Sequence, residues 1–174
     1  MTETLLQTGQ RLRLAPMTEA SLDAVMAIET AVYPFPWTRG NFADAVAGGY
    51  PAWLLLEGGG GDGSDGGHGG NGTALAGYCV ALDGVGETHL LNITVAPDRR
   101  RLGLARQLFA ALADHARATG ATTLWLEVRP SNTVARATYD RLGFRTVGKR
   151  KGYYPAHGGR EDAIVLSLDL GPVP

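Results

Sequence analysis

The sequence predicts a single α/β domain built on a mixed sheet, and three observations support this fold class. Segments with the alternation of strands and segments with helical periodicity follow one another along the chain. The tight turn Asp83-Gly84-Val85-Gly86 separates two strand-like segments and so predicts an antiparallel hairpin in the middle of the sheet. The length of 174 residues, with 44% hydrophobic residues, suits one domain with a sizeable core.

Seven segments have the pattern of strands. Residues 11–16 alternate in polarity and end at a proline, which is typical of a strand terminus. The other strands are predicted at residues 52–57, 73–82, 87–96, 122–128, 144–148 and 163–170.

Four helices are predicted from capping residues and helical periodicity. Thr18 caps a helix that ends near residue 30, and Thr38 opens a short helix that ends near residue 47. The third helix stops before Gly120, and the fourth runs from a cap at Ser131 or Asn132 to residue 142. The apolar residues expected to face inwards are Leu22, Val25, Met26 and Ile28 in the first helix and Leu104, Leu108 and Leu112 in the third.

Residues 58–72 differ from the rest of the chain, because ten of the fifteen are glycine and none is large and apolar. Such a segment cannot bury enough surface to offset its ordering entropy. Gly61 to Gly66 have the spacing of a dinucleotide-binding motif, but the helix that this motif requires does not follow. We therefore predict a flexible hairpin insertion rather than a nucleotide site.

The composition argues against several classes of protein. A formal net charge of −1 gives no overall case for nucleic-acid or membrane binding. No signal-peptide pattern and no apolar run of roughly 20 residues is present, so a cytoplasmic location is predicted. Cys79 is the only cysteine and lies in an apolar strand, so it is expected to pack in the core rather than act as a nucleophile. The four histidines lack the spacing of metal ligands.

The segment from Asn92 to Ala105 has the clearest chemical signal. A β-branched strand runs into three arginines, Arg99 to Arg101, then Gly103, and a helix begins at once. A helix start has unpaired N–H groups and a partial positive charge, and a glycine lets a ligand approach the backbone. The pattern suits a pyrophosphate. On these residues alone, a surface turn with solvated arginines remains the alternative.

Two residues further along the chain could act as base and acid. Glu127 lies near the carboxyl end of a predicted strand, on the face of Trp125, where an unpaired carboxylate would be costly. It is a candidate general base, and a structural ion pair with Arg129 or Arg145 is equally compatible with the pattern. Tyr139 lies on the fourth helix, where packing is the commoner role, although a phenol is a suitable proton donor to a thiolate.

Together these motifs resemble the GNAT (GCN5-related) N-acetyltransferases, and within that family the RimI-type ribosomal-protein-alanine N-acetyltransferases. The Arg-x-x-Gly-x-Ala turn at residues 100–105 marks the whole family, and the other motifs are more specific for the branch. They run in order over residues 33–168, with Ala105 where a second glycine is common. The matching pieces are Phe35-Pro36-Trp37-Thr38, Leu91 to Val95, Leu124 to Arg129, Ser131-Asn132, Tyr139 with Leu142-Gly143-Phe144, Tyr153-Tyr154-Pro155 and Gly159 to Ala163.

The resemblance implies a mostly antiparallel, twisted sheet flanked by helices on both faces. It implies acetyl-CoA as cosubstrate, no metal, and Glu127 as general base, acting directly or through water, with Tyr139 as general acid. Asn132 contacts the cofactor arm, and Arg160, Glu161 and Asp162 match the branch without separate roles. The backbone residues implied at the pantetheine arm and the pyrophosphate are Ile93, Thr94, Val95, Arg100, Arg101, Leu102, Gly103, Leu104 and Ala105.

The implied acceptor is the N-terminal α-amine, preferably of alanine, of a small-subunit ribosomal protein, with no direct nucleic-acid or membrane partner. Two loops would receive it, and their residues are Tyr33, Phe35, Trp37, Tyr153 and Tyr154. Three alternatives remain: an acetyltransferase of relaxed specificity for other N-termini, lysines or small amines, a non-catalytic acyl-CoA-binding module, and a generic nucleotide-binding domain. Retention of both Glu127 and Tyr139 disfavours the binding module, which needs neither.

Overall fold

The computed structural model describes residues 3–5, 11–58 and 73–171. The predicted glycine-rich insertion at residues 58–72 lies outside the described residues, apart from Gly58. The strands and helices are β1 (Glu3–Leu5), β2 (Arg11–Pro16), α1 (Leu22–Val32), α2 (Arg39–Ala47), β3 (Ala52–Gly58), β4 (Ala74–Asp83), β5 (Glu87–Val95), α3 (Leu104–Ala118), β6 (Thr123–Val128), α4 (Thr133–Arg141), β7 (Arg145–Ala156) and β8 (Gly159–Asp169).

The strands hydrogen-bond in the order β1-β2-β3-β4-β5-β6-β8-β7. The pairs β1–β2, β2–β3, β6–β8 and β7–β8 are antiparallel, whereas β5 and β6 are parallel. The prediction of a mixed, mostly antiparallel sheet is therefore confirmed. By residue contacts the chain divides into two compact units, residues 1–79 with 93–105 and residues 80–92 with 106–174. The single domain at residues 1–174 stays a prediction.

In the first unit, α1 buries two of the apolar residues predicted to share a face, together with one carboxylate. Its buried residues are Leu22, Val25 and Glu29, and Val25 and Glu29 follow Leu22 by three and seven positions on one side of the helix. Met26 and Ile28, which were predicted to lie mostly on the same face, are half-buried. The Thr38 hydroxyl accepts the Asn41 amide at 3.2 Å, which confirms the predicted cap of α2.

Cys79 on β4 is fully buried, as predicted. Burial raises the pKa of its thiol to about 12, so the sulfur is protonated and unreactive at neutral pH. In the part of the chain that the structure describes, no helix is both long and apolar enough to cross a membrane.

In the second unit, β6 pairs in parallel with β5 and has one apolar face and one face that carries Glu127. Leu124, Leu126 and Val128 are buried on one face of β6, which leaves Trp125 and Glu127 on the other, as predicted. The ladder with β5 runs from Glu87–Thr123 to Leu90–Leu126 and stops there, although β5 continues to Val95. The predicted inward-facing residues of α3 are all buried, Leu108 and Leu112 in this unit and Leu104 in the first.

The last two strands are longer than predicted. β7 continues eight residues beyond the predicted end at Gly148, and β8 begins four residues before the predicted start. β7 lies at the edge of the sheet, where Pro155 is tolerated because its missing N–H can face away from the neighbour. The register shifts between Arg150 and Tyr154 and interrupts the alternation of side chains, so the predicted strand was too short.

Candidate active site

The basic turn at residues 100–103 has a backbone shaped to receive an anion. Arg101 has φ of 66° and Gly103 has φ of 77°, so two left-handed residues interrupt the turn directly before α3. Left-handed residues within a turn make successive N–H groups converge into a concave nest for anions. A β-carbon at Gly103 would meet no atom within 4 Å, so the space above this glycine is open to a ligand.

Arg99, the first of the three arginines, pairs with a carboxylate instead of facing an anion site. Its Nε lies 2.6 Å from Oε2 of Glu57 on β3, a carboxylate whose side chain is 5% exposed. The hydrogen bond and charge of Glu57 raise the pKa of Arg99. The positive charge of Arg99 is thereby neutralised, and the pairing ties the start of the turn to β3.

The predicted backbone site at the end of β5 contacts Tyr33 of the predicted acceptor loop. The Tyr33 hydroxyl lies 3.0 Å from Oγ1 of Thr94 and donates to the Ile93 carbonyl at 3.3 Å. Burial raises the pKa of Tyr33, so the phenol is neutral. The structure thus brings a predicted acceptor residue and two predicted cofactor residues together within the first unit.

A buried carboxylate that sequence reasoning missed holds the acceptor loop. Glu29 is 1% exposed; its Oε1 accepts the Trp37 amide at 2.7 Å and its Oε2 accepts the Tyr78 hydroxyl. Burial and Glu29 together raise the pKa of Tyr78 well above its ordinary value. The Trp37 ring packs against Phe42 with centroids 5.2 Å apart, so both the backbone and the ring of Trp37 are held in place. The helical spacing of Glu29 from the buried residues of α1 was the available signal.

In the second unit, Glu127 lies between an imidazole and a guanidinium. Its Oε2 is 3.0 Å from Nε2 of His89 on β5, and its Oε1 is 3.1 Å from Nε of Arg150 on β7. The Glu127 side chain is 7% exposed, whereas those of His89 and Arg150 are 29% and 52% exposed. Neither His89 Nε2 nor Glu127 Oε1 has a hydrogen bond of good alignment among the described residues. The predicted alternative partners Arg129 and Arg145 were wrong.

The state of Glu127 follows from opposing effects. Burial raises the pKa of this carboxyl, but the hydrogen bond and charge of His89 and the charge of Arg150 outweigh burial, so the net pKa is lowered. Glu127 is therefore ionised at neutral pH. His89 was missed because its partner is remote in sequence: the ladder pairs His89 with Trp125, two residues before Glu127.

Tyr139, the predicted general acid, lies in an aromatic cluster. It is 8% exposed, and its ring centroid is 5.4 Å from that of Phe109 and 5.7 Å from that of Phe144. The predicted base and acid thus lie in different surroundings, one ionic and one apolar. Asn132 is the cap of α4, where its Oδ1 accepts the Ala135 amide at 3.1 Å.

The second predicted acceptor segment is held by cations over its rings. Tyr153 and Tyr154 are perpendicular with centroids 4.9 Å apart. The guanidinium of Arg129 lies 4.3 Å from the Tyr154 ring centre, and that of Arg150 lies 5.4 Å from the Tyr153 ring centre. Arg129 also donates to the Pro155 carbonyl at 2.9 Å, so the side chain fixes both ring and backbone of this segment.

The motif at residues 160–162 supports the same segment. Arg160 donates to the carbonyls of Gly152 and Tyr153, and Asp162 accepts the Gly152 amide at 2.8 Å. Glu161 accepts the Ser131 amide at 2.8 Å and pairs with Arg129 at 3.2 Å. The three residues, which had no separate roles in the sequence, stabilise the irregular part of β7 between Arg150 and Tyr154.

Comparisons with known proteins identify the family. The family model described as "Acetyltransferase (GNAT) family" matches residues 22–144. The chain belongs to the GNAT acetyltransferase family. No group of three or more metal-ligating side chains occurs in the ranges that the structure describes.

Among GNAT relatives, the chain is similar to the [ribosomal protein bS18]-alanine N-acetyltransferase of Escherichia coli strain K12, with 34% identity over 90% of this chain and 97% of the relative. The relative of the same description from Haemophilus ducreyi is 32% identical over 87% of this chain and 96% of its own length. The E. coli crystal structure matches with a TM-score of 0.75, covering 92% of this chain and 94% of that one. Arabidopsis thaliana NAA60 in complex with acetyl-CoA has the same fold, at 20% identity over 91% of this chain and 98% of that one, with a TM-score of 0.75.

The lowered pKa of Glu127 in this GNAT protein predicts a pH-dependent contribution to stability. The ionised carboxylate gains its partners only in the folded state, so its contribution is present above the unfolded pKa of about 4.3 and is lost as pH falls through the folded value. Urea denaturation measures the free energy of unfolding of wild type and of Glu127→Gln. We expect the wild-type value minus the variant value to decrease as pH falls from about 6 to about 3.

Val134→Ala is the matched control, because this side chain is 78% exposed and does not titrate. Its difference from wild type is expected to stay constant over the same range. A Glu127→Gln difference that is equally constant would contradict the lowered pKa.

Proposed function

We propose that this chain transfers the acetyl group of acetyl-CoA to the N-terminal α-amine of a protein, preferably alanine, and that its natural acceptor is ribosomal protein bS18. The similarity over 90% of the chain to a bS18-alanine N-acetyltransferase carries this proposal. The local contacts of the candidate active site support it in four respects: donor binding, base, acid and acceptor loops.

For the donor, the turn at residues 100–105 supplies N–H groups for the pyrophosphate. The open space at Gly103 and the left-handed Arg101 suit close approach of phosphate oxygens to the backbone. The backbone of residues 93–95 would pair with the amide-containing pantetheine arm in the manner of an added strand. Asn132 would contact the same arm. With Arg99 paired to Glu57, the flexible charges left for the phosphates belong to residues 100 and 101.

For the base, only the neutral amine attacks a thioester, and an N-terminal amine has a pKa of about 7.7–8.0. Glu127 would accept the proton of the ammonium, directly or through an intermediary. Its ionised state at neutral pH suits it to stabilise positive charge that develops when the amine attacks.

For the acid, bond formation between the amine nitrogen and the acetyl carbon places negative charge on the carbonyl oxygen. Backbone N–H groups at the end of β5 would stabilise that oxyanion. The carbon–sulfur bond then breaks, and Tyr139 would protonate the departing sulfur. Both substrates are held together, so the proximity effect replaces a covalent enzyme intermediate. The buried, protonated Cys79 is unsuited to form one.

For the acceptor, the two aromatic loops are each held in place by ionic contacts. Glu29 fixes the backbone at Trp37, in the first loop with Tyr33 and Phe35. Arg129 fixes the second loop, which contains the tyrosine pair at residues 153–154. Aromatic side chains held in place within each loop suit contacts with a few extended residues of a peptide N-terminus.

A peptide panel tests the acceptor. Peptides with the N-terminal sequence of bS18 and different first residues are compared with an Nα-blocked lysine peptide and a polyamine, and thiol release from acetyl-CoA is measured. We expect the highest kcat/KM with alanine first and no reaction with the same peptide blocked at its α-amine. Equal rates on the blocked lysine peptide would overturn the proposal in favour of relaxed specificity.

Substitution tests the base and the acid. Glu127→Gln and Tyr139→Phe are each expected to lower kcat by roughly 10²–10⁴, because each removes a proton transfer, with KM for acetyl-CoA largely retained. Exposed Glu87 and half-buried Tyr50 offer matched controls, and Glu87→Gln and Tyr50→Phe should keep kcat within about twofold of wild type. Near-wild-type turnover in both active-site variants contradicts the assigned roles.

A third pair of variants distinguishes the roles of Arg99 and Arg100. Arg100→Ala is expected to raise KM for acetyl-CoA roughly tenfold, which corresponds to about 1.4 kcal/mol. Arg99→Ala leaves Glu57 buried without its partner and should instead lower the thermal midpoint. A larger rise in KM for Arg99→Ala than for Arg100→Ala would refute this division.

A further inference from the structure

Three of the four buried side-chain atoms that lack a well-aligned hydrogen bond within the described ranges lie on adjacent residues of β5 and β6. They are Nε2 of His89, Nε1 of Trp125 and Oε1 of Glu127. His89 and Trp125 are partners in the parallel register, and Glu127 shares the face of Trp125. Nε2 of His89 lies beside Glu127 and Oε1 of Glu127 lies beside Arg150, but neither pair is well aligned. A cluster of buried polar atoms without good hydrogen bonds requires an explanation, and a catalytic role is one.

We propose that His89 is a catalytic residue that takes the proton from the acceptor amine, and that Glu127 acts through it. This inference rests on the proposed acetyl transfer to an amine and assigns the proton to a specific side chain. The arrangement is that of a carboxylate–imidazole pair, in which the carboxylate orients the ring and stabilises its protonated form.

The geometry gives the two ring nitrogens separate tasks. Nε2 lies 3.0 Å from Oε2 of Glu127 and is shielded from solvent, without the alignment of a good hydrogen bond. The ring proton is assigned to this nitrogen because it faces the carboxylate. The ring as a whole is 29% exposed, so it can exchange protons with solvent. Nδ1 then has a free lone pair to accept a proton, directly or along hydrogen-bonded water.

The chemistry favours an imidazole over the carboxylate as the proton acceptor. An amine of pKa about 7.7–8.0 matches an imidazole, which titrates near 6.5 in short peptides, far better than a carboxylate near 4.3. The pKa of Glu127 is lowered further, so the mismatch with the amine is larger still. The charged group that faces the imidazole from β6 is Glu127, and Arg150 of β7 pairs with the other oxygen of that carboxylate.

The protons balance in this scheme. The ammonium R–NH₃⁺ gives one proton to Nδ1 of His89, and the neutral amine forms the nitrogen–carbon bond. The departing sulfur gains the proton of Tyr139 as the carbon–sulfur bond breaks. The nitrogen loses its second proton at this stage, and that proton returns through water to the Tyr139 oxygen and restores the phenol. The products are the acetylated amine, the free thiol and one proton, which His89 releases to water.

His89→Gln tests the proposal, with His115→Gln as the matched control. His115 forms a similar pair, with its Nε2 2.8 Å from Oδ2 of Asp83. We expect His89→Gln to lower kcat/KM for the acceptor roughly 10²-fold and to leave KM for acetyl-CoA unchanged. Imidazole added to His89→Ala should restore part of the rate, more at higher pH, and His115→Gln should remain within about twofold of wild type.

A second measurement uses the unaltered protein, so the test does not depend on the folding of the variants. The acidic limb of kcat/KM against pH should follow the titration of the His89 ring signal in ¹³C–¹H NMR. Wild-type rates on the peptide panel test which acceptor is used. The ratio of the variant rate to the wild-type rate on the best acceptor tests the role of His89, so the two proposals can fail separately. A His89→Gln rate above roughly one third of wild type, or a ring titration unrelated to the acidic limb, overturns the role of His89.

Discussion

The need to pair buried carboxylates controls the local structure of this chain. A carboxylate withdrawn from water is costly unless charged or hydrogen-bonding partners surround it. Glu29 is 1% exposed, Glu57 is 4% exposed and the Glu127 side chain is 7% exposed. Glu29 binds a backbone amide of the predicted acceptor loop, Glu57 binds the guanidinium before the basic turn, and Glu127 binds an imidazole and a guanidinium. Each pairing therefore fixes one part of the candidate site.

Pairing also divides the charge of the basic turn. The three consecutive arginines look equivalent in the sequence, yet Glu57 takes the charge of Arg99 and leaves it as an anchor. The two arginines that follow are exposed, and in the proposed function they supply the positive charge for the phosphates. The left-handed conformation of Arg101 adds a backbone contribution that requires no side chain, because it directs N–H groups into the same concavity.

Local signals predicted most of the fold, and pairing between distant segments accounts for what they missed. The caps at Thr38 and Asn132 and the faces of β6 depend on residues close in sequence, and these predictions are confirmed. His89 could not be found in this way, because its proximity to Glu127 arises from the register of β5 against β6. Glu29 was also missed, since a charged residue on an apolar helical face becomes acceptable only once distant residues supply partners that no local pattern reveals.

The contrast between the base and the acid side of the site has a physical use. Proton transfer in two directions requires one group that gains a proton easily and one that keeps its proton until the sulfur departs. Glu127 is ionised at neutral pH, so the proposed proton acceptor, His89, has a negative charge 3.0 Å away. The proposed proton donor, Tyr139, instead packs its ring against Phe109 and Phe144. In the proposed mechanism, an ionised carboxylate therefore lies on the side that gains a proton, and a ring held by aromatic contacts lies on the side that donates one.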